Sequence, residues 1–221
     1  MVNEPRKQFE TTEQIIIAQL CLAQKGHKAK VALCILMYLQ GGMMPSELER
    51  LRPEDIRLSG RYPCLVISQA AKTKDRQRVV PVVFGLEFIQ EHIENTRQWL
   101  LGTTESNASR QMKTMLNMFV PHMPEQTAHC LRHTFEHNVI CKEANSLNSA
   151  LIAGWSGGRV GISDRMLKYG MGDMLNSEYL RSLYDTSKVI NQHLLSVKPL
   201  DDDDNIINLW AHNKQNSIEN V

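Results

Sequence analysis

No stretch of this 221-residue chain approaches the ~18 consecutive apolar residues that a membrane-spanning helix requires. The opening residues, Met1 to Glu10, are polar and charged and hold no secretory apolar core. Cysteine is sparse and follows no ligand or disulfide pattern: Cys21, Cys34, Cys64, Cys130 and Cys141 stand far apart, with no CxxC. An odd, scattered set argues for reduced thiols and a cytoplasmic setting. A Gly-rich phosphate loop is missing, which speaks against a transferase using free nucleotides. Neither sign of charge dominates. The net charge of +1 gives no support of its own to a polyanionic partner. Its distribution says more, because the acidic run Asp201 to Asp204 leaves the rest of the chain more basic than the total. Basic residues gather at 72–78 (Lys72, Lys74, Arg76, Arg78) and at 159–168 (Arg159, Arg165, Lys168), a pattern that usually marks a solvated surface.

What is present suffices for a folded body. Hydrophobic residues make up 42% of the chain, enough for a sizeable core and too many for global disorder. After a flexible lead over 1–11, Thr12 is placed to cap a helix over 13–25 that stops at Gly26. A strongly apolar helix follows over 28–41, ended by Gly41-Gly42, and Pro45 opens a short helix to about Leu51. The period then changes. Tyr62 to Ser68 and Arg78 to Val82 read as two strands joined by a turn at Lys72-Thr73-Lys74-Asp75. Helices are expected over 85–100, 109–119, 127–142, 146–154, 162–169 and 176–196, with a Ser/Thr/Asn-rich loop at 102–110. The fold class is therefore mainly α with a small antiparallel β-hairpin, an α+β arrangement without internal repeats.

Thr127-Ala128-His129-Cys130-Leu131-Arg132-His133-Thr134-Phe135 carries the most chemistry. Thr127 is suited to cap this helix. On it Leu131, Phe135 and Val139 share a core-facing side, while His129, Arg132 and His133 share the other, with Glu136 and His137 near them. Imidazole moves protons near neutral pH, and guanidinium grips phosphate oxygens through two parallel hydrogen bonds. The combination suits phosphoryl chemistry; the plainer alternative is a solvated polar face. His129, His133 and His137 also recur every four residues beside Cys130, which permits two metal ligands, but there is no HExxH and no second cluster.

Four words in order make the chain resemble the catalytic domain of tyrosine site-specific recombinases, the phage integrase family. Gly42-Met43-Met44-Pro45-Ser46-Glu47-Leu48 resembles box I, in which Gly, an apolar residue and Arg precede Ser-Glu-Leu. Lys72 followed by Arg78-Val79-Val80-Pro81 resembles the hairpin that carries a catalytic lysine. His129-Cys130-Leu131-Arg132-His133-Thr134-Phe135 is similar to the His-x-x-Arg box, and Gly154-Trp155 to the later Gly-His/Trp position, with Tyr169 beyond it. The match covers roughly 12–196.

The resemblance implies that Tyr169 attacks a DNA phosphodiester to form a 3′-phosphotyrosyl link, conserving the bond energy without ATP. Arg132 and His129 would meet the charge that develops on the phosphoryl oxygens. Lys72, with Lys74 as rival, would protonate the leaving 5′ oxygen, and Trp155 would donate through its indole N–H. His133 would line the site or orient Arg132, and Glu47 would brace the box I loop or simply occupy a first helical turn. Cationic side chains take the role a metal might fill, so no cofactor is implied. The implied partner is double-stranded DNA, with a tetramer of the chain in the synapse and a bacterial or phage-encoded origin.

Three departures qualify this. The box I arginine position is Met44, and a thioether neither donates a hydrogen bond nor carries charge. Either an introduced Arg→Met change or a natural relative that binds DNA without efficient cleavage accounts for it. The second reading makes the chain a non-catalytic DNA-binding or regulatory module on the same fold. Tyr169 lies 14 residues after Trp155, further than the family's usual spacing, which places residues 157–163 in a longer loop; Tyr179 and Tyr184 are further still, at 24 and 29. Finally, only about a dozen residues precede the first helix, so the expected division is a lead over 1–11, a catalytic domain over 12–198 and an acidic linker and tail over 199–221, with no N-terminal core-binding domain. DNA affinity should then be modest and fall steeply with salt. In the tail, Ile206, Ile207, Leu209 and Trp210 are placed either to dock on a neighbouring protomer or to pack on their own body.

Overall fold

In the computed structural model the described residues are 8–67, 77–93, 105–121, 126–142, 146–155 and 176–200. Lys72, Lys74, Arg76, Arg159, Arg165, Lys168, Tyr169, the helix expected over 162–169, the 157–163 insertion and the tail at 206–210 lie outside them.

The centre is α2 (His27–Gly41). Eleven consecutive residues, Val31 to Gly41, are buried. A helix apolar on all sides has to be surrounded, and it is: α1 (Thr11–Leu22), α4 (Leu86–Ile93), α5 (Glu105–Phe119) and α6 (Ala128–Cys141) all pack on it. The short α3 (Pro45–Arg50) follows α2 directly and leans on α5. α1 begins one residue before the cap expected at Thr12. Glu10 takes the N-cap position, because its backbone N–H finds the Glu13 carboxylate at 2.8 Å and its extended backbone leads into the helix.

The hairpin is present with one more strand than expected. β1 (Ile56–Arg57), β2 (Cys64–Ile67) and β3 (Arg78–Pro81) form an antiparallel sheet in that order. Ile56 pairs with Leu65, and β2 pairs with β3 from Cys64–Pro81 through Ile67–Arg78. The period of two divides β2 and β3 between two cores. Leu65, Ile67 and Val80 join the large core around α2. Cys64, Val66 and Val79 join a smaller one with Phe135 and Val139 of α6, α7 (Ser146–Ala153) and α8 (Ser177–Ile190). α6 thus has a foot in both cores.

Buried polar side chains lock these elements in place. Gln40 accepts from the backbone N–H groups of Val83 and Phe84 at 3.1 and 3.2 Å, fixing the chain as it leaves β3. Asn191 donates to the Gln40 carbonyl at 3.0 Å. Gln14 of α1 accepts from Asn138 of α6 at 2.8 Å and sits 2.7 Å from His193, in the 3-10 turn Gln192–Leu194. The Phe9 N–H donates to Thr134 Oγ1 at 3.0 Å. Phe9 is therefore tied to α6 directly, and the turn at 192–194 is linked to it through Gln14. Among the described residues no helix is long and apolar enough to cross a membrane.

Candidate functional site

Arg132 is held where three separate segments meet. It projects from the second turn of α6, whose roll is set by buried Ala128, Cys130, Leu131, Thr134 and Phe135. Thr127 occupies the N-cap with extended backbone, and its N–H reaches Cys130 Sγ at 3.4 Å. Arg132 Nη1 donates to the Gly42 carbonyl, and Nη2 donates to the Ala153 carbonyl at 3.2 Å. Its Nε lies 3.3 Å from Oε1 of Glu136, one turn further along the helix. Three contacts in three directions fix a planar group in position and tilt.

Glu136 ties in two more predicted residues. Oε1 also accepts the indole N–H of Trp155 at 3.2 Å, and Oε2 lies 3.6 Å from His133 Nδ1. His133 meets His129 edge to face, with ring centroids 4.6 Å apart. So His129, Arg132, His133 and Trp155 do form one constellation, with a carboxylate at its hub. His137 departs from the expected group: it turns outward to Cys141, Nε2 to Sγ 3.3 Å, because it lies a further turn along an exposed face. Among the described residues no three His, Cys, Asp or Glu side chains are grouped to hold a metal.

The box I segment reaches the site through its backbone. α2 ends on Gly42 in the left-handed region (φ 57°), where a Cβ would lie 2.5 Å from Phe135. Only glycine lets this turn settle onto α6, and that contact brings the Gly42 carbonyl to Arg132. Met44 is half-buried and extended at the N-cap of α3. Its N–H donates to Glu47 Oε2 at 2.8 Å. Glu47 thus sits in the first turn of α3 and also holds the Met44 N–H.

A second guanidinium belongs here that sequence reasoning placed on the surface. Arg78, grouped above with the solvated cluster at 72–78, is only 2% exposed. It sits on the β3 face that also carries Val80, and both its terminal nitrogens fork onto Glu47, Nη2 to Oε2 at 2.8 Å. A buried carboxylate requires such a partner. Gly154, left-handed at φ 65°, lies directly over Arg78: a Cβ there would be 2.9 Å from Nη1 and 3.1 Å from Cδ. The readable signals were the strand parity of 78 with 80 and the spacing of Glu136 from Arg132 and His133.

The rival tyrosines lie among the described residues. Tyr179 packs against the smaller core, its Oη buried with no hydrogen-bond partner among the described residues, and burial pushes its phenol up to about 12. Tyr184 packs tilted against Tyr62, ring centroids 5.7 Å apart, under the Lys188 ammonium, and burial together with Asp185 raises its phenol too. All five cysteines are free, and burial lifts the thiols of Cys21, Cys34 and, to about 11, Cys64 away from reactive thiolate.

No protein-family model matches the sequence, and no curated protein does. Solved structures do match in three dimensions. The integrase from mycobacterium phage Brujita superposes over 95% of this chain and 64% of its own, with TM-score 0.56 and 13% identity. The Tn1549 transposon integrase, solved with transposon right end DNA, superposes over 88% of this chain and 68% of its own, with TM-score 0.56 and 16% identity. The fold is that of an integrase. At these identities the likeness is one of architecture, and the chain spans less than two thirds of the phage integrase's length. The mainly helical body with a small antiparallel sheet expected from the sequence is this integrase fold. Within it, the box I, His-x-x-Arg and Gly-Trp words come together around Arg132.

Proposed function

We propose that this chain is the catalytic domain of a site-specific DNA recombinase, over roughly 12–198, that cuts and rejoins DNA through a 3′-phosphotyrosyl intermediate and does so inefficiently because Met44 stands in the box I arginine position. The observation that carries this reading is the Arg132 junction: one guanidinium joins Gly42 of box I, Ala153 before Trp155, and the helix of His129. Independent sequence words converge on one donor, as a shared reaction requires and a solvated polar face does not. The architecture shared with a phage and a transposon integrase supports the same reading.

In this scheme the Tyr169 hydroxyl gives its proton to His129 and attacks phosphorus, while the 5′ oxygen leaves and takes a proton from Lys72. The reverse step, with a 5′ hydroxyl as nucleophile, rejoins the strand. Arg132 stabilises the non-bridging oxygens of the five-coordinate phosphorus, and His129 adds a hydrogen bond or handles a proton. His133 and Trp155 act through Glu136, keeping the guanidinium aimed. The partner is duplex DNA, and chain copies assemble on it, the 206–210 segment being a candidate for contact between protomers.

Met44 favours a second reading, a DNA-binding module on the same fold that does not cleave. Incubation with a nicked DNA duplex separates the two. A recombinase leaves a protein–DNA band that survives denaturant. A module gives only a native gel shift, which weakens steeply as salt rises.

A further inference from the structure

The proposed reaction leaves Arg78 without a task, although it is the most completely buried charged side chain beside the site. Its surroundings suggest one. Arg132 and Arg78 approach the Ala153–Trp155 turn by different routes: Arg132 Nη2 donates to the Ala153 carbonyl at 3.2 Å, while the Arg78 guanidinium packs under Gly154, close enough that a Cβ would overlap Nη1 at 2.9 Å. They also approach the box I segment at its two ends. Arg132 holds the Gly42 carbonyl, and Arg78 holds Glu47, which in turn holds the Met44 N–H at 2.8 Å. The two segments that Arg132 bridges are thus joined a second time, from beneath, by Arg78 and Glu47.

Charge and shape both make this arrangement particular. Glu47 is 3% exposed and Met44 offers it no positive charge, so Arg78 is its counter-ion. A guanidinium forked onto a carboxylate is fixed in plane as well as in position, and lysine cannot reproduce that. The Arg78 Nε has no hydrogen-bond partner among the described residues, so the group is held by the Glu47 fork and by packing. Its flat face is what Gly154 rests on.

We propose that Arg78, fixed by Glu47, is a positioning residue for the site: it sets the separation between the box I turn and the Gly154–Trp155 turn, and so the aim of Arg132. This rests on the recombinase reading for its catalytic consequence but not for its structural one. Losing the fork lets the two turns drift, and Arg132 can then no longer span both carbonyls.

Two variants test it, Arg78→Lys, which keeps the charge and loses the fork, and Glu47→Gln/Arg78→Met, which removes both charges and leaves none buried alone. The first readout needs no DNA: hydrogen exchange of the Arg132 Nε–H by NMR, with backbone amides of Leu33 to Leu39 in α2 as the control for global stability. The proposal predicts faster exchange at Arg132 in each variant that folds, with the α2 amides unchanged. The second readout is covalent complex formation on nicked DNA, expected to fall about 10²-fold while DNA affinity holds, the signature of a displaced donor. Arg132 exchange that is unchanged, or that rises only in step with the α2 amides, overturns the proposal. If neither the parent chain nor Met44→Arg forms a covalent complex, the recombinase reading fails, and the exchange measurement still decides the role of Arg78.

Discussion

Trp155 and Arg132 share a single oxygen atom. The indole N–H and the guanidinium Nε both point at Oε1 of Glu136, at 3.2 and 3.3 Å. Neither residue is therefore placed independently of the other. A residue that resembles a catalytic donor in sequence is, in this state, giving its hydrogen bond to a carboxylate that also anchors the principal cation of the site.

Glu136→Gln follows from that relationship. The amide still accepts from one donor but removes the counter-charge of a mostly buried arginine. Because the Gly42 and Ala153 carbonyls remain, the loss should sit in the range of a charged hydrogen bond, about 1–3 kcal/mol, rather than that of a fully broken ion pair. Urea unfolding measures it. Trp155 emission should shift as its N–H partner changes, in a background with Trp99 and Trp210 replaced by phenylalanine.

His193 predicts a pH dependence of stability. Burial, with Lys142 adding repulsion, lowers its imidazole to about 4 from an ordinary value near 6.5. The neutral ring donates from Nε2 to Gln14, whereas Nδ1 is buried without a partner among the described residues, so a proton there finds no acceptor. The unfolded chain binds that proton more readily than the folded one. The contribution of His193 is therefore full above about pH 6.5 and is lost as pH falls toward 4. Urea midpoints between pH 7 and 4 should fall less steeply in His193→Gln than in the parent chain.

Much of the frame was legible before the structure. The apolar run within 28–41 read as a helix, though not as the central one, and Leu131, Phe135 and Val139 marked a core-facing side of α6. The strands of the hairpin announced themselves by their change of period. β1 did not, since Ile56-Arg57 is too short to show any period and becomes a strand only because Leu65 and Cys64 are there to pair with it. Arg78 was misplaced for a related reason: one basic residue after a basic turn looks solvated, and only the arrival of Glu47 from 31 residues away makes burial affordable. The hub role of Glu136 was half visible, as a charge at helical spacing from Arg132. What could not be read was that Trp155 would share it.

Tyr179→Phe separates the rival nucleophiles. Its hydroxyl is buried with no partner among the described residues, so removing it should leave stability equal or higher by urea unfolding. With its phenol pushed up to about 12 by burial, Tyr179 is poorly suited to attack phosphorus. Covalent complex formation should survive this change. Its loss, with the fold intact, would move the nucleophile from Tyr169 to Tyr179.

The central claim is that this site performs phosphoryl transfer on DNA and is held back by the missing donor at Met44. Its most direct test is a denaturing gel on a nicked suicide DNA substrate, comparing the parent chain, Met44→Arg and Met44→Arg/Tyr169→Phe. The account predicts a faint covalent band for the parent, an increase on the order of 10²–10³ in its rate of formation for Met44→Arg, and no band once Tyr169 is removed. Equal rates for the parent and Met44→Arg, with Tyr169→Phe still abolishing the band, would contradict the role assigned to position 44. A native gel shift without a covalent band in any of the three would contradict the recombinase reading itself.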